Sequence, residues 1–519
     1  MSKRILFIAI DPNDNSGQSM KIYECRDIGY LAGYLRGHGH IIKVYSEEAE
    51  KIDFSILDSF EPDIVCLPVN TDSKIINWAK AKRPDVLICK GTGSTPADLA
   101  ANWLKYNDYL DYVITGGETF YSWLKLLESI ESGTGLNNVK GIVFRDGKEI
   151  TETTGSYDFD INELITSDLD SNRNQAYITT SFGCIGNCSF CGEKVLHRKW
   201  KGRDIKRVVD EIEYFVRNGV YRFHFTDACI EAPDVNLKRL TALCQEIINR
   251  NLPILYEANF RPDFSKKATT EIMDLLVRSG LYRAFIGVES GCQDDLSLFN
   301  KRCTIKEARE TVELFERYNI NVDIGFIMFH PFSTLASLKQ NIELLDDMGK
   351  ASFKSLSCEY TPVIGAGLYN KARDAGLLNE NTLQLRFQNN AVQDIHILMK
   401  SFLDTIDKEA KKTFDGMRGN YGHYIYLMNV YYRNNMLEHY EATQSYLDRM
   451  RSMIKTVSIL LCNWFRALLS IAEQGFDPDK AIRASFDLIN PSLLKALADC
   501  IQQENEKIDN SLRSLNKQV

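Results

Sequence analysis

The sequence predicts an α/β fold in three parts: an N-terminal Rossmann-like, doubly wound parallel sheet, a partial (β/α)6 TIM-type barrel, and an all-helical C-terminal domain. Two separate runs of short apolar strands that alternate with amphipathic helices indicate the first two parts. Helical patterns without a clear strand indicate the third. We place the parts at residues 1–140, 173–378 and 379–519, with a hairpin and linker at 141–172.

Composition narrows the class of protein. The 519 residues carry a net charge of −8, which gives no reason to expect a nucleic-acid partner. The opening "MSKRILFIAIDP" is typical of a first strand rather than a signal peptide, and the odd number of cysteines indicates reduced thiols, so we expect a cytoplasmic protein. The apolar stretch 458–472 is interrupted by Arg466 and is shorter than the roughly 20 residues that span a bilayer, so we expect a buried helix and no membrane partner.

The first part contains five predicted strands, at residues 4–10, 41–46, 63–69, 86–91 and 112–116. Ligands of doubly wound sheets bind beyond the carboxyl ends of the strands. The segments that follow the strands are rich in small and polar residues, as a ligand-facing rim requires, although ordinary turns have a similar composition. A predicted hairpin then follows at 141–153, with Asp-Gly as its turn signal.

The second part contains six predicted strands, at residues 176–182, 221–227, 254–260, 282–290, 321–329 and 353–360. Helical patterns separate them. Catalytic groups of such barrels come from the carboxyl ends of the strands.

Three cysteines lie directly after the first of these strands. Cys184, Cys188 and Cys191 have the spacing C-x3-C-x2-C in a loop made pliable by glycine. Four cysteines close a zinc or iron–sulfur site, whereas three cysteines that hold a [4Fe–4S] cluster leave one iron without a protein ligand. A zinc site completed by a histidine such as His197 is the alternative.

This motif, in this position, resembles that of the radical S-adenosylmethionine (SAM) superfamily. The resemblance implies that the free iron is chelated by the amino and carboxylate groups of SAM. One electron from a flavodoxin- or ferredoxin-type reductant then yields a 5′-deoxyadenosyl radical, which abstracts hydrogen from a small-molecule substrate. Phe190 occupies the position where the family keeps an aromatic side chain near the adenine.

A doubly wound domain ahead of the barrel resembles the cobalamin-binding subclass. Further similar segments are "LAGYLRGHGHIIKVY", "TGGE", "FTDACI", "RPDF", "IGVESG" and "PVIGAGLYNKARDAGLL". The resemblance implies a methyltransferase acting on an unactivated carbon of a small natural-product intermediate. Ring contraction, cyclisation, dehydrogenation or epimerisation without methyl transfer is the alternative. An RNA methylthiotransferase would need a basic appendage and a second set of cluster cysteines, and a non-enzymatic iron–sulfur protein would need a sealed cluster.

One departure from the subclass concerns the cobalt ligand. Relatives that bind cobalt through a protein imidazole carry Asp-x-His-x-x-Gly after the first strand, whereas this chain has "DPNDNSG", with Asn13 in place of histidine. We therefore expect cobalamin to bind without histidine ligation; the alternative is that this domain has lost cobalamin. The residues that we expect to line the corrin are small or polar: Asn70, Gly93, Ser94, Gly116 and Gly117.

Other candidates lie at the predicted ends of the barrel strands. For SAM binding they are Asp227, Arg261, Glu289 and Ser290, of which Asp227, Arg261 and Glu289 could equally serve as a helix cap, a loop anchor and an ion pair. For catalysis they are His330, as a substrate contact or proton relay, and Cys358, as a thiol that quenches a radical. A structural histidine and a core cysteine are the alternatives.

Overall fold

The computed structural model describes residues 2–8, 18–45, 59–67, 73–91, 97–116, 119–165, 175–197, 199–233, 236–380, 382–406, 408–433 and 435–516. The chain forms two compact units. The first comprises Met1–Cys184, Glu193–Ile230 and Asn249–Ile254, and the second comprises Ile185–Gly192, Glu231–Ile248 and Leu255–Val519. The strands of the predicted barrel are divided between the two units, and the domain boundaries drawn from the sequence stay a prediction.

The first unit contains a seven-stranded sheet whose strands are β1 (Arg4–Ile8), β2 (Ile41–Tyr45), β3 (Ile64–Leu67), β4 (Leu87–Lys90), β5 (Tyr112–Ile114), β6 (Ile142–Asp146) and β7 (Glu149–Thr153). Their order in the sheet is β2-β1-β3-β4-β5-β6-β7. The helices of this region are Gln18–Gly37, Ser73–Lys82, Ala97–Tyr106 and Phe120–Ser132. The first five strands are parallel, as the sequence predicts.

Burial on both faces explains why these strands have continuous apolar sequences. Side chains of β1 alternate between two cores: Ile5 and Phe7 belong to one, and Leu6 and Ile8 belong to the other. The predicted hairpin forms at β6 and β7, with Gly147 in the turn at φ 61°. Because β6 pairs in antiparallel fashion with β5, the hairpin extends this sheet.

Each unit contains parallel strands of the barrel region. In the first unit, β8 (Gln175–Ile178) pairs with β11 (Arg222–Phe225), and a short antiparallel pair forms from β9 (Ser181–Phe182) and β10 (Lys201–Gly202). In the second unit, β13 (Leu281–Glu289) lies between β12 (Leu255–Phe260) and β14 (Asn321–Phe326). The helices of the region are Glu193–Leu196, Ile205–Arg217, Lys238–Asn249, Thr270–Ser279, Gln293–Leu298, Ile305–Arg317 and Leu335–Asp347.

The predicted sixth strand, residues 353–360, is a helix over most of its length. Ser352 forms a capping box with Ser355 and begins the helix Phe353–Ser357. Within the part of the chain that the structure describes, a single parallel bridge between Phe329 and Glu359 remains of the strand. The prediction was wrong here because a short apolar run does not distinguish a strand from one helical turn, and the cap decides for the helix.

The remainder is helical, as predicted: Gly367–Asp374, Asn390–Thr405, Lys408–Arg433, Leu437–Glu473, Pro478–Leu488 and Pro491–Asn516. Within the described residues, the 37-residue helix Leu437–Glu473 is long and apolar enough to cross a membrane by length and composition, and 39% of its most apolar window is buried. The stretch 458–472 lies within this longer helix, so its own length does not decide whether the helix could cross a membrane. Core helices pass the same test, and Leu461, Trp464 and Phe465 of this helix are fully buried.

Candidate active site

The loop that carries the second and third cysteines is held by hydrogen bonds. In the second unit, the Ser189 N–H donates to the Phe299 carbonyl at 2.8 Å and the Ser189 hydroxyl donates to the Leu298 carbonyl at 2.8 Å. The Leu368 N–H donates to the Ser189 carbonyl at 2.7 Å, and the Cys191 N–H donates to the Cys188 carbonyl at 3.2 Å. Two segments, one at Leu298 and Phe299 and the other at Leu368, therefore fix the backbone that carries these two cysteines.

The three cysteine side chains are partly buried. Three thiols in this spacing form a donor set that suits an iron–sulfur cluster. Within the described residues, no group of three or more His, Cys, Asp or Glu side chains is close enough together to hold a single metal ion. His197, the histidine of the zinc alternative, is buried, and its ring stacks on Phe182 at a centroid distance of 5.0 Å.

A buried ion pair lies at the end of β13. The Glu289 Oε1 is 2.9 Å from the Lys301 Nζ, and only 7% of Lys301 is exposed. Burial lowers the pKa of Lys301, but Glu289 and Cys188 raise it, and the net pKa lies above the ordinary value. The Lys301 Nζ also lies 5.6 Å from the centroid of the Phe190 ring. One anion, one cation and one aromatic ring are therefore gathered beside the cysteine loop.

Two glycines make room for this ion pair. A Cβ atom at Gly287 would lie 2.6 Å from the Glu289 Oε1 and 2.7 Å from the Lys301 Nζ. A Cβ atom at Gly325, on the neighbouring strand, would lie 3.0 Å from the Phe285 ring and 3.4 Å from the same carboxylate oxygen. A side chain at Gly287 would displace the pair, which explains the glycine in "IGVESG".

Arg261 is attached to this region through its side chain and its backbone. Its guanidinium donates to the Asp263 carboxylate at 3.0 Å and to the Lys301 carbonyl at 3.2 Å. Its backbone N–H donates to the buried Glu231 carboxylate at 3.2 Å. Burial raises the pKa of Glu231 to about 7, although Lys267 and the Arg261 N–H act in the opposite direction. Arg261 thus anchors the segment that carries Lys301.

Ser290 and His330 belong to a buried polar cluster. The Ser290 hydroxyl lies 2.8 Å from the Asn341 Oδ1 and 2.9 Å from the Asp295 Oδ2. The His330 Nε2 lies 3.1 Å from the Asp295 Oδ1, but neither ring nitrogen makes an aligned hydrogen bond within the described residues. His330 is 0% exposed, and its ring contacts Phe299. The predicted roles of Ser290 and His330 toward cofactor and substrate stay predictions.

Cys358 lies directly after the helix that replaces the sixth strand. Burial, with a further contribution from Glu289, raises the pKa of its thiol to about 11. The thiol is therefore protonated at neutral pH. The adjacent Glu359 accepts hydrogen bonds from His396 at 3.1 Å and from Lys400 at 2.7 Å.

Asp227, in the first unit, accepts hydrogen bonds from its described neighbours Thr180 and Ser181. The Thr180 N–H donates to it at 3.0 Å, the Thr180 hydroxyl at 2.6 Å, and the Ser181 hydroxyl also donates to it. The Asp227 side chain is 1% exposed. Its hydrogen bonds tie the segment after β8 to the segment after β11. Its predicted contact with SAM stays a prediction.

The predicted corrin-lining residues lie mostly outside the described residues, namely Asn70, Gly93, Ser94 and Gly117, and so does Asn13. Gly116 is described. Its φ is 94°, and no heavy atom of the described residues lies within 4 Å of a Cβ built there. Among the described residues, none therefore fills the space beside this point of the rim.

Sequence reasoning missed Lys301, Glu231 and Asn341. Lys301 follows Glu289 by 12 residues, and only the folded turn brings the two charges together. Nothing in the sequence pattern distinguishes Lys301 from a solvated lysine.

Residues 178–345 match the family model of the radical SAM superfamily. The chain is 26% identical over 374 residues to the anaerobic magnesium-protoporphyrin IX monomethyl ester cyclase of Rubrivivax gelatinosus, and the match spans 66% of each protein, about two thirds of the cyclase's own length. Its fold is similar to that of the cobalamin-dependent SAM radical enzyme OxsB, with TM-score 0.66 and 17% identity over 99% of this chain and 81% of OxsB.

A further similar structure is the radical SAM methyltransferase TsrM from Kitasatospora setae. The TM-score is 0.53 and the identity 16%, over 66% of this chain and 71% of TsrM. The family model covers the cysteine loop, Glu289 and Lys301, and the structural similarity to OxsB extends over both units. Residues 178–345 therefore form a radical SAM domain, and the fold of the chain is similar to that of the cobalamin-dependent enzyme OxsB.

Proposed function

We propose that this radical SAM enzyme uses cobalamin and remodels the carbon skeleton of a small molecule, by cyclisation or a related rearrangement without methyl transfer. The radical chemistry rests on one observation: the anchored cysteine loop lies beside the Glu289–Lys301 pair at the end of a barrel strand. The reaction class rests on the similarity to a cyclase.

The charges of the pair are complementary to those of SAM. SAM carries an ammonium group and a carboxylate group on its methionine part, and a ribose diol. In this proposal Glu289 accepts hydrogen bonds from the ammonium group or the ribose, and Lys301 pairs with the carboxylate. Phe190, which already contacts the Lys301 ammonium, packs near the adenine.

Cys184, Cys188 and Cys191 would hold the cluster, which would pass one electron from a flavodoxin- or ferredoxin-type donor to SAM and so cleave it. The chain's own residues hold and orient the reactants. Cys358 keeps its proton at neutral pH because its pKa is raised to about 11, so it suits a hydrogen-atom donor rather than a nucleophile.

Cobalamin is assigned to the first unit. The order β2-β1-β3-β4-β5 places a topological switch point between β1 and β3, where ligands of doubly wound sheets bind. Gly116 lies at the end of β5, and no described residue fills the space beside it, which leaves room for a corrin ring among the described residues. The sequence offers Asn13 where a histidine ligand would be needed, so the proposal includes no histidine on cobalt.

Methyl transfer is the second candidate. The specific observation that favours it is the structural similarity to the methyltransferase TsrM. A methyltransferase of this kind must pass the methyl group of SAM to the corrinoid, whereas a cyclase need not.

The test is anaerobic reconstitution with iron, sulfide and hydroxocobalamin, followed by reduction with SAM labelled with carbon-13 in its methyl group. We expect iron–sulfur absorbance, bound corrinoid and formation of 5′-deoxyadenosine, all without label in the corrinoid fraction. The variant with Ala at all three cysteines is the control and should form no 5′-deoxyadenosine. Label in the corrinoid would move the assignment to methyl transfer, and failure to bind corrinoid would remove cobalamin from the proposal.

A further inference from the structure

Glu289 has a backbone conformation that a glutamate rarely adopts. Its φ is 70°, in the left-handed region, and the pairing of β13 with β14 shifts register between Gly287 and Glu289. Such conformations cost about 1–3 kcal/mol and persist only where the surrounding structure over-determines them. Contacts from the surrounding structure must therefore hold this turn in place.

The helix Leu335–Asp347 provides these contacts through Asn341. The Asn341 Oδ1 accepts the Gly291 N–H at 2.5 Å and lies 2.8 Å from the Ser290 hydroxyl. The Ser290 oxygen in turn accepts the Cys292 N–H at 3.0 Å. One side-chain oxygen on a neighbouring helix thus fixes the two residues that follow Glu289.

Close packing adds to this restraint. A Cβ atom at Gly291 would lie 2.5 Å from the Gln340 carbonyl oxygen and 3.0 Å from the Asn341 Cα, so the turn sits directly against the helix. Asn341 is 0% exposed, and its Nδ2 has no hydrogen-bond partner within the described residues. A buried amide with one unsatisfied end is unfavourable for the fold alone. A leucine would fill the same space without an unsatisfied amide. The hydrogen bonds that the asparagine oxygen accepts from the turn therefore explain why this position holds asparagine.

We propose that Asn341 and Ser290 are positioning residues that hold Glu289 in its left-handed turn and so set the affinity of the site for SAM. Ser290 then acts through the backbone of its neighbour and does not contact the cofactor. Asp295 completes the cluster at 2.9 Å from the Ser290 hydroxyl. The inference rests on the proposed function only in assigning SAM as the ligand of Glu289.

The experiment compares Asn341→Leu with Ser337→Ala in the reconstituted protein. Ser337 lies on the same helix, and within the described residues its hydroxyl bonds only to the backbone of the cap residue Thr334. Its loss therefore weakens the start of the helix without affecting the turn. We expect Asn341→Leu to raise the dissociation constant for SAM at least about tenfold, the typical effect of losing an outer orienting partner. Ser337→Ala should change it by less than about twofold.

A second measurement needs no cofactor. Amide hydrogen exchange of peptides covering 286–295 should accelerate in Asn341→Leu and not in Ser337→Ala, because the Gly291 amide loses its acceptor and the Ser290 hydroxyl, which accepts from the Cys292 amide, loses one of its partners. If Asn341→Leu does not fold, Ser290→Ala carries the same two measurements with the same direction. The double variant should be no worse than Asn341→Leu alone, since both residues act on one turn.

Unchanged exchange and unchanged SAM affinity in Asn341→Leu would overturn the inference, and additive effects in the double variant would overturn the shared role of the two residues. Failure of the wild-type protein to bind SAM would overturn the proposed function instead. The exchange result would then still decide whether Asn341 holds the turn.

Discussion

Asp227 and Glu289 are carboxylates at the ends of parallel strands, and the sequence treats them alike. The structure separates them. Among the described residues, Asp227 accepts hydrogen bonds from a backbone amide and two hydroxyls of the adjoining segment, which are neutral groups of the fold. Glu289 faces the ammonium of Lys301, in a left-handed turn beside the cysteine loop.

The difference shows how to recognise a carboxylate that is poised for a ligand. Neutral donors fixed by the backbone have no other partner to take, so the Asp227 contacts are expected to stay. The ammonium of Lys301 can exchange its partner for the carboxylate of an incoming ligand, which frees Glu289 for a positive group. We infer that the first carboxylate stabilises the fold and the second binds.

The largest effect should come from Glu289→Gln. The amide keeps the shape and still accepts a hydrogen bond from Lys301, so the protein should fold, but the negative charge is lost. We expect the rate of 5′-deoxyadenosine formation at low SAM to fall roughly a hundredfold, as for one partner of a buried charged pair. Lys301→Arg keeps the charge and is the matched control, with a smaller loss. A Glu289→Gln enzyme as active as the wild type would break the comparison.

Asp227→Asn should lower the stability of the fold and leave the cleavage of SAM unaffected. Its amide nitrogen cannot accept from the Thr180 N–H or from the hydroxyls, so at least one buried donor is left unsatisfied. We expect a loss of about 2 kcal/mol in the free energy of unfolding, measured by anaerobic denaturant titration. The rate of SAM cleavage per folded molecule should stay the same. A normal stability with a raised KM for SAM would instead support the cofactor contact predicted from the sequence.

The sequence predicted the structure correctly where the deciding contacts lie close together along the chain, and it missed contacts between distant residues. The first five strands are within two residues of their predicted ends, because continuous apolar runs such as "RILFI" are what a doubly buried strand requires. The sixth strand failed because the cap at Ser352 outweighs a short apolar pattern. Lys301 and Asn341 were missed because their partners lie 12 and about 50 residues away. Residue type alone identified Glu289, but only the fold distinguishes it from Asp227.

Glu231 is a third buried carboxylate, and it extends the comparison to pH. Its pKa is raised to about 7 in the folded protein, against the ordinary value of 4.5. The folded state therefore binds the extra proton between these values, and stability should fall as the pH rises from about 4.5 to about 7. Glu231→Gln removes this titration. We expect a flatter stability profile over that window and greater stability at pH 8, by denaturant titration at several pH values; an unchanged profile would contradict the raised pKa.

The smallest effect concerns the rim of the first sheet. Gly116 and Gly133 both have left-handed φ values, 94° and 66°, and a Cβ atom at either would meet no described heavy atom within 4 Å. Alanine at either position should therefore cost a similar strain, about 1 kcal/mol of stability. Gly133 ends the helix Phe120–Ser132, whereas Gly116 follows a strand at the rim that we assign to cobalamin. We expect Gly116→Ala alone to weaken hydroxocobalamin binding, several-fold by optical titration, with SAM cleavage unchanged in both variants. Equal corrinoid affinity in the two variants would show that the open space at Gly116 is not where the corrin lies, and the assignment of cobalamin to this rim would fall.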